Sequence, residues 1–499
     1  MIGRRTAGFL LGATLVGAAA IGLRAQANVE DQARRQLESG REFYRNGRYI
    51  EALKDFQTVA EGYPTSSVAD DALLAIALYQ LEIQLDPTTA RTTADQLIKK
   101  YATSDSAPTG YVVLGRATLE LDQSPAGLDS ALASFDRVPR LFPASEAVAP
   151  ALYYGAEVDR RASRRPQALD RLRDLALQYP RSVWAARAAL LEARLLVSNG
   201  EPTEAMRVLQ RVIRGFGSSD EAVTARAWNT TLYRLTIRPP AESAYAYSGR
   251  SLAGASGKFR DVESISLGPD GRLGIATRGG ILLLDDKGAV TRQAPATEPK
   301  QFTFDRRGLV TIFERSVLMR ETDRGMQRMV LTAATPGGPK ILEEITAGAP
   351  LSTTGEYVVA DRNLRGVFKF NAAGQFVAAF ASGRVSRLAV SLTDDVAMLE
   401  TDSKSVIVAD HTGKTLVTIA PRGTGYEMGS PEDVRFDMFG NVYVLDKERV
   451  LVFGGNGRLL TIVTPDPSGA FKNGQSLTLD SAARLYVYDE GLGRVLIYQ

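Results

Sequence analysis

Apolar positions follow two different periods along this chain. From Asn28 to Ile237 they recur at helical spacing, while from Val262 onward they alternate in short runs between Asp, Asn and Gly turns. Five segments punctuate the helical stretch, each an aromatic followed after two residues by Ser: Tyr63 to Ser66, Tyr101 to Ser104, Phe142 to Ser145, Tyr179 to Ser182 and Phe216 to Ser219. The steps between their aromatics are about 38, 41, 37 and 37 residues, a period that predicts stacked supersecondary units. The expected class is multidomain α and β: an N-terminal α-α superhelix over 28–237, a linker over 238–243, and a six-bladed β-propeller over 244–499.

Each helical unit reads as a pair. In the first, Asn46-Gly47 turns the chain, Ala52, Phe56 and Val59 face back onto the preceding helix, and Pro64 ends the unit. Gly40 is small where the two helices cross. Further pairs are expected at Ala69 to Glu82 with Thr93 to Tyr101, Gly110 to Leu121 with Gly127 to Phe142, Ala147 to Arg161 with Gln167 to Tyr179, and Val183 to Ser198 with Glu201 to Phe216. Glu221 to Ile237 is left over as a polar-faced cap, stopped by Pro239-Pro240. The order of small, aromatic and Pro positions resembles the tetratricopeptide repeat. The aromatic-Pro-x-Ser handover resembles the periplasmic repeat proteins of the outer-membrane-assembly and Tol-Pal systems.

In the second half the clearest unit is Ser430 to Thr464, with strands around Val434, Val442 and Val450, and turns at Asp437 to Gly440 and Gly455 to Gly457. With the unit at Ser430, copies open at Ser264, Phe302, Thr354, Leu388 and Ser476, about 34 to 52 residues apart, which is the spacing of four-stranded blades. Asp446 with Arg449-Val450 and Asp489 with Arg494-Val495 resemble the NHL repeat. That resemblance implies an Asp–Arg pair within each blade. Asp361 with Arg365 matches in part, and Glu314 stands where Asp is expected. The last blade is one strand short at its C-terminal end, so the alternating segment Ala244 to Gly249 is expected to close the ring, because an open edge is a pairing liability.

The N-terminus carries Arg4-Arg5, an apolar stretch to Leu23, and the small-x-small triplet Ala25-Gln26-Ala27. This predicts a secretory signal over 1–27 and a periplasmic or secreted protein; an uncleaved inner-membrane anchor is the alternative. After cleavage no membrane span is expected. The chain contains no Cys, which removes disulfides, thiolate chemistry and lipid attachment through Cys. Removing Arg4, Arg5 and Arg24 from the 60 basic residues leaves 57 against 57 acidic ones, a balance that argues against nucleic acid as partner.

Little of the sequence points to catalysis. His411, the one His, falls in a blade turn, so multi-His metal sites and Ser-His-Asp catalysis have no support. Asp270, Asp285-Asp286, Asp394-Asp395 and Asp437 read as turn residues bonding their own backbone. No catalytic residue, cofactor or metal is expected. Candidate partner-binding residues are the basic group Arg160, Arg161, Arg164, Arg165, Arg171 and Arg173, and the aromatics Tyr153, Tyr154, Trp184, Trp228 and Tyr233 on the first helices of their units or on the cap. The expected role is an exported non-catalytic scaffold that binds envelope proteins. A carbohydrate or peptidoglycan binder and a propeller lyase or hydrolase are the alternatives.

Overall fold

The computed structural model describes residues 28–122, 124–237, 244–254, 257–305, 308–322, 325–351, 355–464 and 470–499. The expected signal at 1–27 and linker at 238–243 lie outside them. The chain divides into two compact units, Met1–Ala185 and Ala186–Gln499.

The helices run α1 (residues 28–45), α2 (Tyr49–Gly62), α3 (Ala69–Glu82), α4 (Pro87–Lys100), α5 (Ala107–Leu121), α6 (Pro125–Leu141), α7 (Val148–Arg161), α8 (Arg165–Gln178), α9 (Val183–Ser198), α10 (Pro202–Gly215) and α11 (Asp220–Thr236). The handover works the same way at each unit. The Ser N–H donates to the carbonyl of the aromatic, at 3.0 Å for Ser66 to Tyr63, 3.1 Å for Ser104 to Tyr101, and 3.0 Å for Ser145 to Phe142. The hydroxyls of Ser66, Ser145 and Ser182 then accept the N–H two residues on, at 3.2 Å each, and set the chain into the next helix. Close crossings need glycine: a Cβ at Gly40 would stand 2.6 Å from the Phe56 ring, and one at Gly115 would stand 2.6 Å from Phe135.

Helix α4 starts at Pro87 rather than at the expected Thr93. Asp86 caps it, accepting the N–H groups of Thr88 and Thr89 at 3.0 and 3.1 Å, with Pro87 in the first turn. This Asp-Pro start signal outweighs the β-branched threonines that follow it.

The second unit holds six four-stranded antiparallel sheets. Their innermost strands are Val262–Leu267, Pro299–Phe304, Ile345–Pro350, Val385–Val390, Pro431–Phe436 and Gly474–Leu479, and each neighbours the next around a closed ring. Short hairpins, Thr332–Thr335 with Gly338–Ile341 and Arg422–Gly423 with Tyr426–Glu427, join blades two to three and four to five. The sixth blade takes its outermost strand from upstream, Tyr247–Leu252, antiparallel to Arg494–Tyr498, with Tyr247 opposite Tyr498 and Leu252 opposite Val495. Ala246 and Gln499 exchange backbone bonds at 3.1 and 3.0 Å beside it.

An acidic residue ends the second strand in five of the blades, and it holds the loop that enters its own blade. Asp446 accepts from Ser430 N at 2.6 Å, Asp489 from Asn473 N at 2.7 Å, Asp361 from Glu344 N at 2.9 Å, and Glu400 from Arg384 N at 3.3 Å. Glu314 does the same for Thr297 N at 2.7 Å, so the longer side chain replaces Asp without loss of the blade. Asp446 also pairs with Arg449 at 3.1 Å. The second expected pair does not form. Arg494 lies opposite Asp489 in the ladder but is exposed, and the carboxylate is taken by the N–H groups of Lys472, Asn473 and Leu492.

Helix α11 lies within this second compact unit. Leu235 packs in one core with Tyr245, Tyr443, Leu477 and Tyr498.

Candidate partner-binding surface

In the first unit, the first helices of successive pairs contribute one continuous polar and aromatic stripe. Tyr44 of α1 meets Tyr49 at 5.2 Å between ring centroids, and Tyr49 meets Tyr79 of α3 at 6.2 Å. Burial, with the Glu82 carboxylate adding to it, pushes the Tyr44 hydroxyl up. Glu82 of α3 receives Arg116 of α5 at 2.7 Å, and the Arg116 guanidinium lies 5.1 Å from the Tyr154 ring of α7. Tyr153, Tyr154 and Trp184 form a triangle with centroids 5.3 to 5.5 Å apart, and Phe135 stacks beneath Tyr154 at 5.8 Å. Three of the expected anchors are thus brought together, half-buried. Tyr44, Glu82 and Arg116 extend the surface beyond them, with Tyr79 buried behind it. Their signal in the sequence is the repeat period itself, Tyr44 to Tyr79 being one unit apart.

The basic group is not a free patch. Asp159, 2% exposed, is forked between Arg164 at 2.9 Å and Arg171 at 2.7 Å. Arg164 also reaches Asp129 at 3.1 Å, Arg171 reaches Asp136 at 2.7 Å, and Arg160 pairs with Glu157 at 2.8 Å. Arg164 and Arg171 thus each bind a carboxylate one repeat back as well, which fixes α8 against α6. Arg165 and Arg173 are exposed.

Trp228 does not face a partner. It is 8% exposed, donates from Nε1 to the Ser481 carbonyl at 3.0 Å, and meets Phe439 edge-on at 5.2 Å. It anchors α11 on blades five and six. Tyr233, on the same helix, is exposed. Under this anchor lies a buried polar chain. Asp437 accepts Phe439 N at 2.8 Å, Asn441 N at 2.9 Å and Asn441 Nδ2 at 2.8 Å, and the Tyr443 and Tyr245 hydroxyls meet at 2.9 Å. Burial pushes the Asp437 carboxyl up to about 6, against the pull of those donors, and pushes both tyrosine hydroxyls up as well.

Between the inner strands of the propeller, Asp433 is fully buried, accepting Arg435 at 2.6 Å and Ser476 Oγ at 2.7 Å. Gln301 donates to the Leu388 carbonyl at 2.7 Å and Arg387 to the Glu263 carbonyl at 3.1 Å, which ties non-neighbouring blades together. Burial pushes the Arg435 guanidinium down. His411 is exposed in its turn. Asp285, Asp410 and Asp480 each accept backbone N–H groups of their own turns. No helix among the described residues is long and apolar enough to cross a membrane.

No match was found among curated proteins. Solved structures similar to this chain include a gluconolactonase from Xanthomonas campestris, 17% identical with a TM-score of 0.41, covering 52% of this chain and 98% of that one. A virginiamycin B lyase from Staphylococcus aureus is 12% identical with a TM-score of 0.38, covering 50% of this chain and 84% of that one. The family model described as YfiO, outer membrane lipoprotein, matches residues 30–189, the segment that carries the aromatic stripe. Residues 30–189 of this chain are thus similar to the YfiO family, and a six-bladed β-propeller follows on the same chain.

Proposed function

We propose that the protein is an exported, non-catalytic scaffold of the bacterial cell envelope, in which the stripe from Tyr44 to Trp184 holds a protein partner and the propeller offers a second surface. The observation that carries this reading is the stripe itself, lying within the YfiO-type segment. Half-buried aromatics flanked by an Arg–Glu pair are the residue types that anchor protein interfaces. Repeat stacks use such extended surfaces to hold partners. The sole His, exposed in a turn, has no place in a catalytic constellation. The family is described as a lipoprotein, yet none of the 499 residues is Cys, so none of them can carry a thioether-linked lipid.

A photo-crosslinking residue at Tyr153, in cells of the source organism, should trap discrete envelope proteins that are not trapped from the exposed position Ile50 of α2. Tyr154→Ala with Trp184→Ala should abolish the trapping. Binding only to purified cell-wall glycan, unchanged by the double variant, would replace this reading with the carbohydrate alternative.

A further inference from the structure

The second handover, between α3 and α5, gathers more negative charge than the first. At the first, one carboxylate, Glu30, receives the Ser67 N–H at 3.1 Å, the Ser67 hydroxyl, and Arg34 at 3.1 Å. At the second, Asp71 takes the corresponding place, receiving Ser106 Oγ at 2.8 Å and Arg41 at 3.0 Å. Here two more carboxylates, Asp70 and Asp105, join it, and one oxygen from each of the three lies within 4.8 Å of the others. Arg41 is shared between Asp71 and Glu38, the latter at 2.7 Å, so most of the charge is unmatched.

Asp70 is the decisive member. It is 4% exposed, and its Oδ2 has no hydrogen-bond partner. A buried carboxylate without a donor bears its desolvation cost uncompensated. Like charges this close repel as well. The N-terminal dipoles of α3 and α5 ease the repulsion, but they supply no bond to that oxygen. A hard divalent cation supplies both the charge and the contact. At a calcium–oxygen distance of about 2.4 Å, opposite ligands of one ion stand about 4.8 Å apart. The three side chains meet that limit as they stand, and so few, unevenly placed carboxylates suit calcium's flexible shell better than the near-ideal octahedron that magnesium demands.

We infer that Asp70, Asp71 and Asp105 form a calcium site at the junction of α3 and α5, which fastens one repeat to the next. Asp105 is exposed, so water completes the shell. Few protein ligands and one open side place the affinity in the weak range of about 0.1 to 1 mM. The site departs from the metal-free chain expected from sequence. It is independent of the partner-binding reading.

The test is calorimetric titration of calcium chloride into the full chain after chelator treatment, with thermal melting measured in parallel. The expected result is one saturable site and a melting temperature that rises with calcium up to about 10 mM. Asp105→Asn, at an exposed position where folding is not at risk, should weaken binding at least about tenfold. Asp70→Asn should abolish it and leave the calcium-free protein at least as stable as the parent. No saturable heat, or a calcium effect unchanged in both variants, would overturn the site. An equal response to magnesium in place of calcium would overturn its assignment to calcium.

Discussion

Leu252→Ala and Tyr245→Ala should each destabilise the propeller, although both residues precede its first complete blade. Leu252 is 7% exposed and packs with Phe259, Tyr486, Tyr488 and Val495 in the core shared by the first and last blades. Tyr245 is buried against Tyr443 and bonds its hydroxyl at 2.9 Å. Truncating a buried Leu costs about 2–5 kcal/mol and a buried aromatic about 3–5 kcal/mol. Either is a large share of a stability of about 5–15 kcal/mol. In a domain of this size, each 1 kcal/mol shifts melting by about 2–4 °C, so a drop on the order of 5–20 °C is expected for each variant. The loss should appear in the strand signal of far-UV circular dichroism, with light scattering as the freed edge of Arg494–Tyr498 pairs between molecules. Arg250→Ala, exposed on the same strand, is the control and should stay within about 0.5 kcal/mol. Melting of Leu252→Ala within about 2 °C of the parent would refute the closure argument, because a strand that holds the ring cannot lose its buried side chain so cheaply.

Trp228→Ala should free α11 from blades five and six. Trypsin should then cut at Arg226 and Arg234, which the parent protects, and an unchanged digestion pattern would show that the anchor carries no weight. Asp437 gives a pH dependence of definite sign. Its folded carboxyl is raised to about 6, so the stabilisation is fully present below the unfolded value of about 4 and is lost as pH rises through 6. Denaturant unfolding at pH 5 and 7.5 should show the parent losing more stability than Asp437→Asn, by about 1.4 kcal/mol, and parallel curves would contradict the raised carboxyl of buried Asp437.

Much of the architecture is legible in the chain because it is written in local periods. The aromatic-x-x-Ser handovers set where units begin, since the Ser bonds lie within a few residues of one another. The alternating strands and their Gly turns set the blades. The helices 69–82 and 183–198 have the bounds the pattern gives, whereas α4 starts earlier because Asp86 caps it and Pro87 opens its first turn.

What the sequence by itself determined is the two periods, and with them the superhelix, the ring of six blades and the candidate aromatics Tyr153, Tyr154 and Trp184. Only the tertiary structure decided what covers each of these faces. A helical period says that Trp228 is on an apolar face, but not that Phe439 and Ser481 cover it. A run of arginines says that charge is present, but Asp129 and Asp136, each 35 residues from the Arg it pairs with, neutralise it through space. The same holds for Asp70 and Asp105, harmless as separate turn and helix residues and repulsive once two helix starts meet. Periodicity is a property of neighbours along the chain; pairing and desolvation belong to neighbours in space.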